Sequence, residues 1–289
     1  MKNEKLFEIV QNKVNEIKQT LETAVSTATF DGKIYDNGQK AKEGLIRSSK
    51  LINLLHEAIK EQLAAIGIDK TRIVPAIGSS GPELKLAGFL KMKDQDVCVF
   101  PKTVQKIPRT IGWGPLQFEK ARDPNGFDFT EKTLVINLRS QLTSLEKNAD
   151  TLFERTFAEP MNLHVLYPKA VLGDVYLIPV YPYDEHVMLA NRVRFRPHQT
   201  NILKYISFFS AISGRKDTET DMFKYERCAL VIVDFSKPVP KIYTTTKELI
   251  DDGLIKPTDN VDFDSISIDG FVDEIVEIYN SRFGDIKNI

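Results

Sequence analysis

The sequence predicts one α/β or α+β domain with a helical amino-terminal part, and three observations support this fold class. Two long segments with apolar residues every three or four positions open the chain. Short β-prone runs separated by Gly, Pro and Asp follow from Arg72 onwards. No internal repeat and no low-complexity linker divides the sequence, so one domain is the simplest organisation.

The amino-terminal part is predicted to contain two amphipathic helices. The first covers residues 4–25 and the second runs from about Ala41 to Ile66, with the turn-rich GKIYDNG between them. We expect both helices to pack on each other and to cover one side of the core. Residues 1–70 would then form a helical part, and residues 71–289 would form the core with its acidic carboxyl-terminal helix.

The core is predicted to alternate strands and helices. The strands are RIVPAIG, ELKLAGFLK, DVCVFPK, TLVINL, VYLIPVY and CALVIVDF. A polar helix interrupted at Pro160 follows TLVINL, an apolar helix ILKYISFFSAI precedes CALVIVDF, and GFVDEIVEIYNSRF forms the last helix. The segment from Thr103 to Glu131 reads as a long irregular loop, a kind of segment that is more often functional or mobile than idle.

Composition excludes several functional classes. With 27% charged residues and a net charge of −1, the chain has no global basic or acidic field, so any electrostatic argument must be local.

Cys98 and Cys228 lie in apolar runs and predict buried thiols rather than a disulfide framework or a zinc site. Neither a signal peptide nor an apolar stretch of roughly 20 residues occurs, so we expect a cytoplasmic protein without a membrane partner. No phosphate-binding glycine motif occurs, which argues against a nucleotide cofactor.

The stretch GPELKLAGFLKMKDQDVCVFPK, residues 81–102, contains the first candidate site. If ELKLAGFLK and DVCVFPK pair around a turn near Lys93 and Asp94, then Asp96 opens the second strand and lies close to the end of TLVINL. Glu83 heads the first strand. The two carboxylates either hold a metal ion together or simply face water on an exposed hairpin.

This order of elements resembles the core of the PD-(D/E)xK nucleases and, among them, the type II restriction endonucleases. The resemblance spans about Glu83 to Tyr181 and rests on element order and on the pieces QDVCVF, INLRSQLTS and KNADTLFER. It implies a mixed sheet flanked by helices and site-specific hydrolysis of double-stranded DNA with Mg²⁺, or with Mn²⁺. It also implies a homodimer, since a twofold dimer matches the symmetry of a palindromic site.

The resemblance assigns catalytic roles. Asp96 matches the hairpin acid that binds the metal, shared with Glu83, and Arg139 falls where the family has lysine. Asn137 falls where the family has its second acid, so another acid substitutes (Glu83, Asp150 or Glu154), or the strand is misaligned, or the site is weak. Arginine is too basic to act as a general base, so Arg139 would orient or neutralise a phosphate. Gln141 would align the attacking water.

Local basicity predicts where DNA binds. In NRVRFRPHQTN, Arg192, Arg194 and Arg196 alternate with Val193 and Phe195, which on a strand places three arginines on one face. The same pattern also fits an exposed, charged strand edge. Further candidates for DNA contacts are Arg215, Lys216 and Lys102.

Two alternatives to the nuclease remain open at this point. The first is a non-catalytic, nuclease-like module that binds DNA or a protein partner, which the neutral Asn137 favours. The second is an interaction protein whose amino-terminal helices form the interface and whose hairpin charges only solvate the surface. The first predicts DNA affinity without cleavage, and the second predicts no salt-dependent DNA binding.

Overall fold

The computed structural model describes residues 3–143 and 145–289, and it describes the side chains of all of these except 145–148. The helices are α1 (Glu4–Thr27), α2 (Gly38–Arg47), α3 (Lys50–Ala65), α4 (Phe127–Glu131), α5 (Leu145–His164), α6 (Glu185–Met188), α7 (Ile202–Ile212), α8 (Thr246–Asp251) and α9 (Phe271–Phe283). The strands are β1 (Thr29–Phe30), β2 (Lys33–Ile34), β3 (Ile73–Val74), β4 (Leu84–Ala87), β5 (Met92–Gln95), β6 (Val97–Val99), β7 (Arg109–Thr110), β8 (Arg122–Asp123), β9 (Leu134–Ser140), β10 (Leu172–Pro179), β11 (Arg227–Asp234) and β12 (Lys241–Tyr243).

A mixed six-stranded sheet forms the centre of the fold, with the strand order β12-β11-β10-β9-β6-β3. Strands β9, β10 and β11 are parallel, whereas β3, β6 and β12 run antiparallel to their neighbours. Every residue of β10 and β11 is buried, as expected for parallel strands that helices cover on both faces. The α+β class with a mixed, helix-flanked sheet is therefore confirmed.

Each face of the sheet has its own apolar cluster. One cluster joins α1, α3 and α9 to the sheet and includes Val14, Leu55 and Ile275. The other joins α5 and α7 to the opposite face and includes Phe153 and Phe209. The amino-terminal helices thus cover one side of the core, as their periodicity predicts.

The second predicted helix is in fact two helices. Ser48 Oγ donates a hydrogen bond to the Leu45 carbonyl at 2.6 Å, and Ser49 adopts a left-handed backbone with φ of 62°. A non-glycine residue in that region ends a helical run because the next carbonyls can no longer align. Helix α2 therefore ends at Arg47 and α3 begins at Lys50, and the continuous helix expected from the periodicity is wrong at this point.

The expected interruption of the polar helix at Pro160 is also wrong, because α5 continues through Pro160 to His164. Proline has no N–H, so the carbonyl of Thr156, four residues earlier, lacks its helical partner. The hydroxyl of Tyr225 donates to this carbonyl at 3.3 Å. A tertiary hydrogen bond thus replaces the one that proline removes.

The hairpin predicted within residues 81–102 has a different register from the expected one. Strands β4 and β5 pair with Leu84 opposite Gln95, and residues 88–91 form the turn. The backbone N–H groups of Leu90 and Lys91 donate to Asn162 Oδ1 on α5, which anchors this turn. DVCVF does not pair with ELKLA; it contributes β6 to the large sheet, between β3 and β9. The expected neighbour of DVCVF, β9, is confirmed.

The remaining elements agree with the sequence in most respects. Helices α1, α7 and α9 and strands β9, β10 and β11 form where predicted. The segment 103–131 contains the short pair β7–β8 and the single turn of α4. Cys98 and Cys228 are buried, free thiols. Within the described ranges, no helix combines the length and apolarity needed to cross a bilayer.

Gly173 of β10 provides a test of the packing between the sheet and α9. A Cβ at this position would lie 2.5 Å from Cδ1 of Ile275 and 2.9 Å from Cζ of Phe271. We expect Gly173→Ala to lower the free energy of unfolding by about 1–3 kcal/mol, because the core must shift to accept the methyl group. Chemical denaturation measures this. Gly112→Ala, whose Cβ meets no described atom within 4 Å, is the control and should unfold like the wild type.

Candidate active site

A cleft of about 370 Å³ lies at the carboxyl-terminal edge of β9, between the start of α3 and the middle of α5. Its walls include Lys93, Asp96, Arg139 and Glu159. Asp96 reaches the cleft because β6 runs antiparallel to β9, so the residue before β6 lies opposite Asn137, three residues before the end of β9. The carboxyl ends of sheet strands are a common place for ligand sites in α/β proteins.

Asp96 lies beside β9, as the sequence predicts. Its Oδ2 accepts a hydrogen bond from the backbone N–H of Leu138 at 2.7 Å. This bond fixes the direction of the carboxylate relative to β9. The side chain is half-buried on the cleft wall, where a ligand can reach it.

Glu83 directly precedes β4 and is exposed. Leu84 pairs with Gln95, so one step further along the register Glu83 faces Asp96 across the open end of the hairpin. Partial burial and the nearby negative charge of Asp96 raise the pKa of Glu83. The structure therefore brings the two carboxylates near each other, although Glu83 does not line the cleft.

Arg139 is held between two acids. One guanidinium nitrogen donates to Asp174 Oδ1 on β10, and another donates to Glu159 Oε2 on α5. Burial alone would lower the pKa of Arg139, but Asp174 and Tyr225 beside it raise the pKa above its usual value. The guanidinium therefore stays protonated. The anionic partners of Arg139 are Asp174 and Glu159, two side chains of the protein itself.

Asp174 is completely buried in the middle of β10. Burial raises its pKa, whereas the positive charges of Arg139 and Lys93 oppose that rise. Only Oδ1 is bonded to Arg139, and Oδ2 has no hydrogen-bond partner among the described residues. A buried carboxylate oxygen without a partner is rare because its desolvation is uncompensated.

Lys93 projects from β5 towards β9 and α5. Its Nζ lies 3.1 Å from Glu159 Oε1 and 3.4 Å from Asn137 Oδ1. Burial and the positive charge of Arg139 lower the pKa of Lys93 to about 8. Lys93 is thus a partly buried cation in the cleft and not one of the solvated lysines of the hairpin surface.

Gln141 is buried behind the cleft rather than exposed to it. Its Oε1 accepts hydrogen bonds from the hydroxyls of Tyr176 at 2.9 Å and Tyr205 at 2.7 Å. These bonds tie the end of β9 to β10 and α7. The carbonyl of Gln141 therefore has a structural task, and the expected alignment of an attacking water by its amide stays a prediction.

The helix after β9 does contribute an acid, but a different one from those considered. Asp150 is exposed and lies 2.6 Å from Lys204, and Glu154 is also exposed. Glu159, further along α5, has a buried side chain and bonds both Arg139 and Lys93.

The three arginines of NRVRFR form an exposed row next to the cleft. Val193 and Phe195 pack on the core, while Arg192, Arg194 and Arg196 are exposed, as the alternation predicts. The segment is extended but joins no sheet, apart from one bridge between Phe195 and Tyr183.

The arginine row connects with the cleft through a second depression. Arg196 lines this depression of about 570 Å³, which shares Leu142 and Thr143 with the cleft. Arg194 forms an ion pair with Asp184 at 2.7 Å, so Arg192 and Arg196 are the row's less engaged charges.

The other predicted DNA contacts lie elsewhere. Arg215 is buried and bonds the carbonyls of Pro168, Thr218 and Thr220 as well as Glu226, so the expectation that it binds DNA is wrong. Its guanidinium organises the loop that leads to β11. Lys216 and Lys102 are exposed, but they lie at the opposite edge of the sheet, near the start of β11 and after the end of β6.

Sequence reasoning missed Asp174, Glu159 and Lys93 as members of this site. A signal existed for Asp174, because it is a lone acid within the apolar run AVLGDVYLIPV. Such a residue needs a buried partner. Glu159 and Lys93 gave no comparable signal, since Glu159 lies in a helix predicted to be polar and Lys93 lies in a hairpin rich in charged residues.

Comparison with known proteins adds no identification: no family model, no curated protein and no solved structure matches the chain. Among the described side chains, those of residues 3–143 and 149–289, no three histidine, cysteine or acidic residues are grouped so that they could hold a metal ion. The geometry of the cleft is therefore the basis for a functional assignment.

The ion pairs of Arg139 can be tested through stability. Arg139→Met leaves Asp174 buried without its cation, so we expect a loss of about 3–5 kcal/mol in the free energy of unfolding at neutral pH. Without the guanidinium the pKa of Asp174 rises further, so the loss should shrink as the pH falls towards about 4 and the carboxyl group takes a proton. Denaturant titrations at several pH values measure both effects.

Arg155 is the matched control for this variant. It pairs with the same Glu159 at 3.6 Å, but its side chain is 65% exposed. Arg155→Met should cost at most about 1 kcal/mol. Equal losses for both variants would contradict the role assigned to the buried pair.

Proposed function

We propose that the protein is a metal-dependent endonuclease that hydrolyses phosphodiester bonds in double-stranded DNA at specific sites. The cleft between α3, β9 and α5 is its active centre, and Mg²⁺ or Mn²⁺ is its cofactor. A homodimer that matches a palindromic site and a cytoplasmic location belong to the same proposal. One observation carries it: Asp96, Lys93, Arg139 and Glu159 meet in a single cleft.

The strand arrangement supports this proposal. The resemblance to PD-(D/E)xK nucleases implies an acid from a hairpin, a neighbouring strand with the next functional pair, and a helix after that strand. In this chain, Asp96 precedes β6, the antiparallel β9 carries Asn137 and Arg139, and α5 follows. The α5 acid Glu159 then reaches back into the same cleft.

The donor set fits a hard divalent cation. Mg²⁺ prefers oxygen ligands and commonly uses one or two carboxylates, with water and substrate phosphates completing its shell, so a cluster of three protein acids is not required. Asp96 and the nearby Glu83 provide such oxygens, and Asp174 has a buried oxygen without a partner among the described residues. Four acids, Asp96, Glu83, Asp174 and Glu159, thus lie in or beside the cleft, together with the cations Lys93, Arg139 and Arg155.

The protein side chains would position the substrate and stabilise charge. A bound divalent cation would polarise the scissile phosphate and make water a better nucleophile. Lys93, held by Glu159, would contact the negative charge that develops on the phosphate. Arg139 keeps Glu159 and Asp174 in place from inside the cleft. The exposed arginine row would follow the DNA backbone.

A second candidate is a nuclease-like module that binds DNA without cutting it. Asn137 favours this alternative, because a neutral amide is a weaker ligand for a hard cation than a carboxylate is. The ion pairs of Arg139 also favour it, since they neutralise two of the acids that a metal could use.

Cleavage of a long, sequence-rich duplex distinguishes the two candidates. We expect discrete fragments from the wild type with Mg²⁺ or Mn²⁺ and none with chelator. Asp96→Asn and Lys93→Met should each lower the cleavage rate at least about 100-fold, because loss of one preorganised charge typically costs that much. Lys85→Met is the control, since Lys85 is exposed on the same hairpin and pairs with Asp94 outside the cleft.

The outcomes separate cleanly. DNA that shifts in a gel but is never cut, with any metal, would establish the binding module instead of the nuclease. Protein that neither cuts nor shifts DNA would reject both candidates. Equal losses of cleavage rate in Lys93→Met and Lys85→Met would show that the cleft is not the active centre.

The arginine row is tested by the salt dependence of DNA binding. Arg192→Ala combined with Arg196→Ala should weaken binding and reduce the slope of log K against log salt by about 0.9 for each phosphate that the variant no longer neutralises. Lys102→Ala combined with Lys216→Ala removes the same charge from the opposite edge of the sheet and should leave the slope unchanged. Fluorescence anisotropy at several salt concentrations, in chelator, measures both variants. Equal slopes for the two double variants would reject the row as a DNA-binding surface.

A further inference from the structure

The alignment of three strands places two acids on either side of Asn137. In the antiparallel pair, Val97 lies opposite Ile136, so one step further along the register Asp96 lies opposite Asn137. In the parallel pair, Asp174 is the register partner of Asn137. Neighbouring strands are about 5 Å apart. Asp96, Asn137 and Asp174 therefore form one row across the sheet.

The contacts of neighbouring side chains indicate that the row faces α5. Asn137 and Arg139 are two residues apart on β9 and share a face of the sheet. Asn137 contacts Lys93, Lys93 contacts Glu159 of α5, and Arg139 contacts both Glu159 and Asp174. Asp174 thus lies on the same face of the sheet as the groups that line the cleft.

Asp174 has spare capacity as a ligand. Arg139 occupies only Oδ1, whereas Oδ2 is fully buried and has no hydrogen-bond partner among the described residues. Replacing the whole buried pair of Arg139 and Asp174 by hydrophobic residues of similar volume would often be as stable or more so. A bound cation would give this unbonded, buried oxygen the partner that it lacks.

We infer that Asp174 supplies, from β10, the carboxylate that Asn137 does not supply from β9, and that Asp96 and Asp174 together bind a divalent cation over Asn137. This inference rests on the proposed function for the identity of the cation. It assigns the second acid of the site to a strand that the resemblance does not indicate. Asn137 contributes its amide oxygen to the same row, and Lys93 lies within hydrogen-bonding distance of that oxygen.

The inference is tested by cation binding without DNA, measured by calorimetric titration of the full chain with Mn²⁺ and with Mg²⁺. We expect saturable binding by the wild type at one site, and at least about a tenfold loss of affinity in Asp174→Asn and in Asp96→Asn, since even changes behind metal ligands cost that much. Asp150→Asn, which removes an exposed acid paired with Lys204, is the control and should bind like the wild type.

A swap variant separates ligation from folding. In Asn137→Asp combined with Asp174→Asn, the carboxylate moves one strand along the row and the net charge stays the same. We expect this variant to recover most of the affinity lost in Asp174→Asn, and Asn137→Asp alone to bind the cation more tightly than the wild type. Circular dichroism and thermal unfolding of each variant identify any that fail to fold. If Asp174→Asn alone does not fold, the cation affinities of the swap variant and of Asn137→Asp test the inference.

Each outcome bears on either the cation site or the nuclease proposal. Asp174→Asn that binds Mn²⁺ as tightly as the wild type, or a wild type that binds no divalent cation, overturns the inference. Cation binding that depends on Asp174 in a protein that never cuts DNA supports the inference and rejects the nuclease. Mg²⁺-dependent cleavage with unaltered cation affinity in Asp174→Asn supports the nuclease and rejects this second acid.

Discussion

The buried charge of Arg139 is the constraint on which the arrangement around the cleft depends. Its guanidinium joins β9 to β10 through Asp174 and to α5 through Glu159, so one side chain fixes three elements relative to each other. Taking these charges out of water costs several kcal/mol per ion, and an apolar set of similar volume would often be as stable or more so. The network is therefore poorly explained by stability alone. Its position next to Lys93 and Asp96, in an open cleft, gives it a functional explanation.

The change from antiparallel to parallel pairing at β9 determines which residues meet. Strand β6 is antiparallel to β9, whereas β10 is parallel to it. Asp96, just before β6, therefore lies level with Asn137 of β9 and Asp174 of β10. The same topology separates the basic residues into two groups. The arginine row follows the end of β10 and adjoins the cleft, whereas Lys102 and Lys216 belong to the opposite edge. The proposed DNA duplex at the cleft would therefore lie beside the first group.

The sequence could predict the parts that depend on local pattern. Periodicity located α1, α7 and α9, and the alternation in NRVRFR predicted that three arginines share one face, which the structure shows exposed beside the partly buried Val193 and Phe195. The sequence could not predict hydrogen bonds between residues that are far apart along the chain. The chain could not indicate that Asn162 anchors the hairpin turn and thereby shifts its register, or that Tyr225 compensates for Pro160. Arg215 and Arg192 cannot be distinguished in the sequence, because only the fold places the guanidinium of Arg215 among backbone carbonyl groups.

Arg139 on β9 and Lys93 on β5 are two cations with different tasks around the cleft. Arg139 keeps its proton at any pH that the protein survives, so it can hold Glu159 and Asp174 in place but cannot exchange a proton with water. Lys93 reaches the same Glu159 from β5, and burial beside Arg139 brings the pKa of its ammonium group to about 8. The permanent charge thus lies inside the cleft as a support, while the titratable charge of Lys93 lies beside Glu159 and Asn137. A site with this division can keep its acids organised even while Lys93 changes its protonation state.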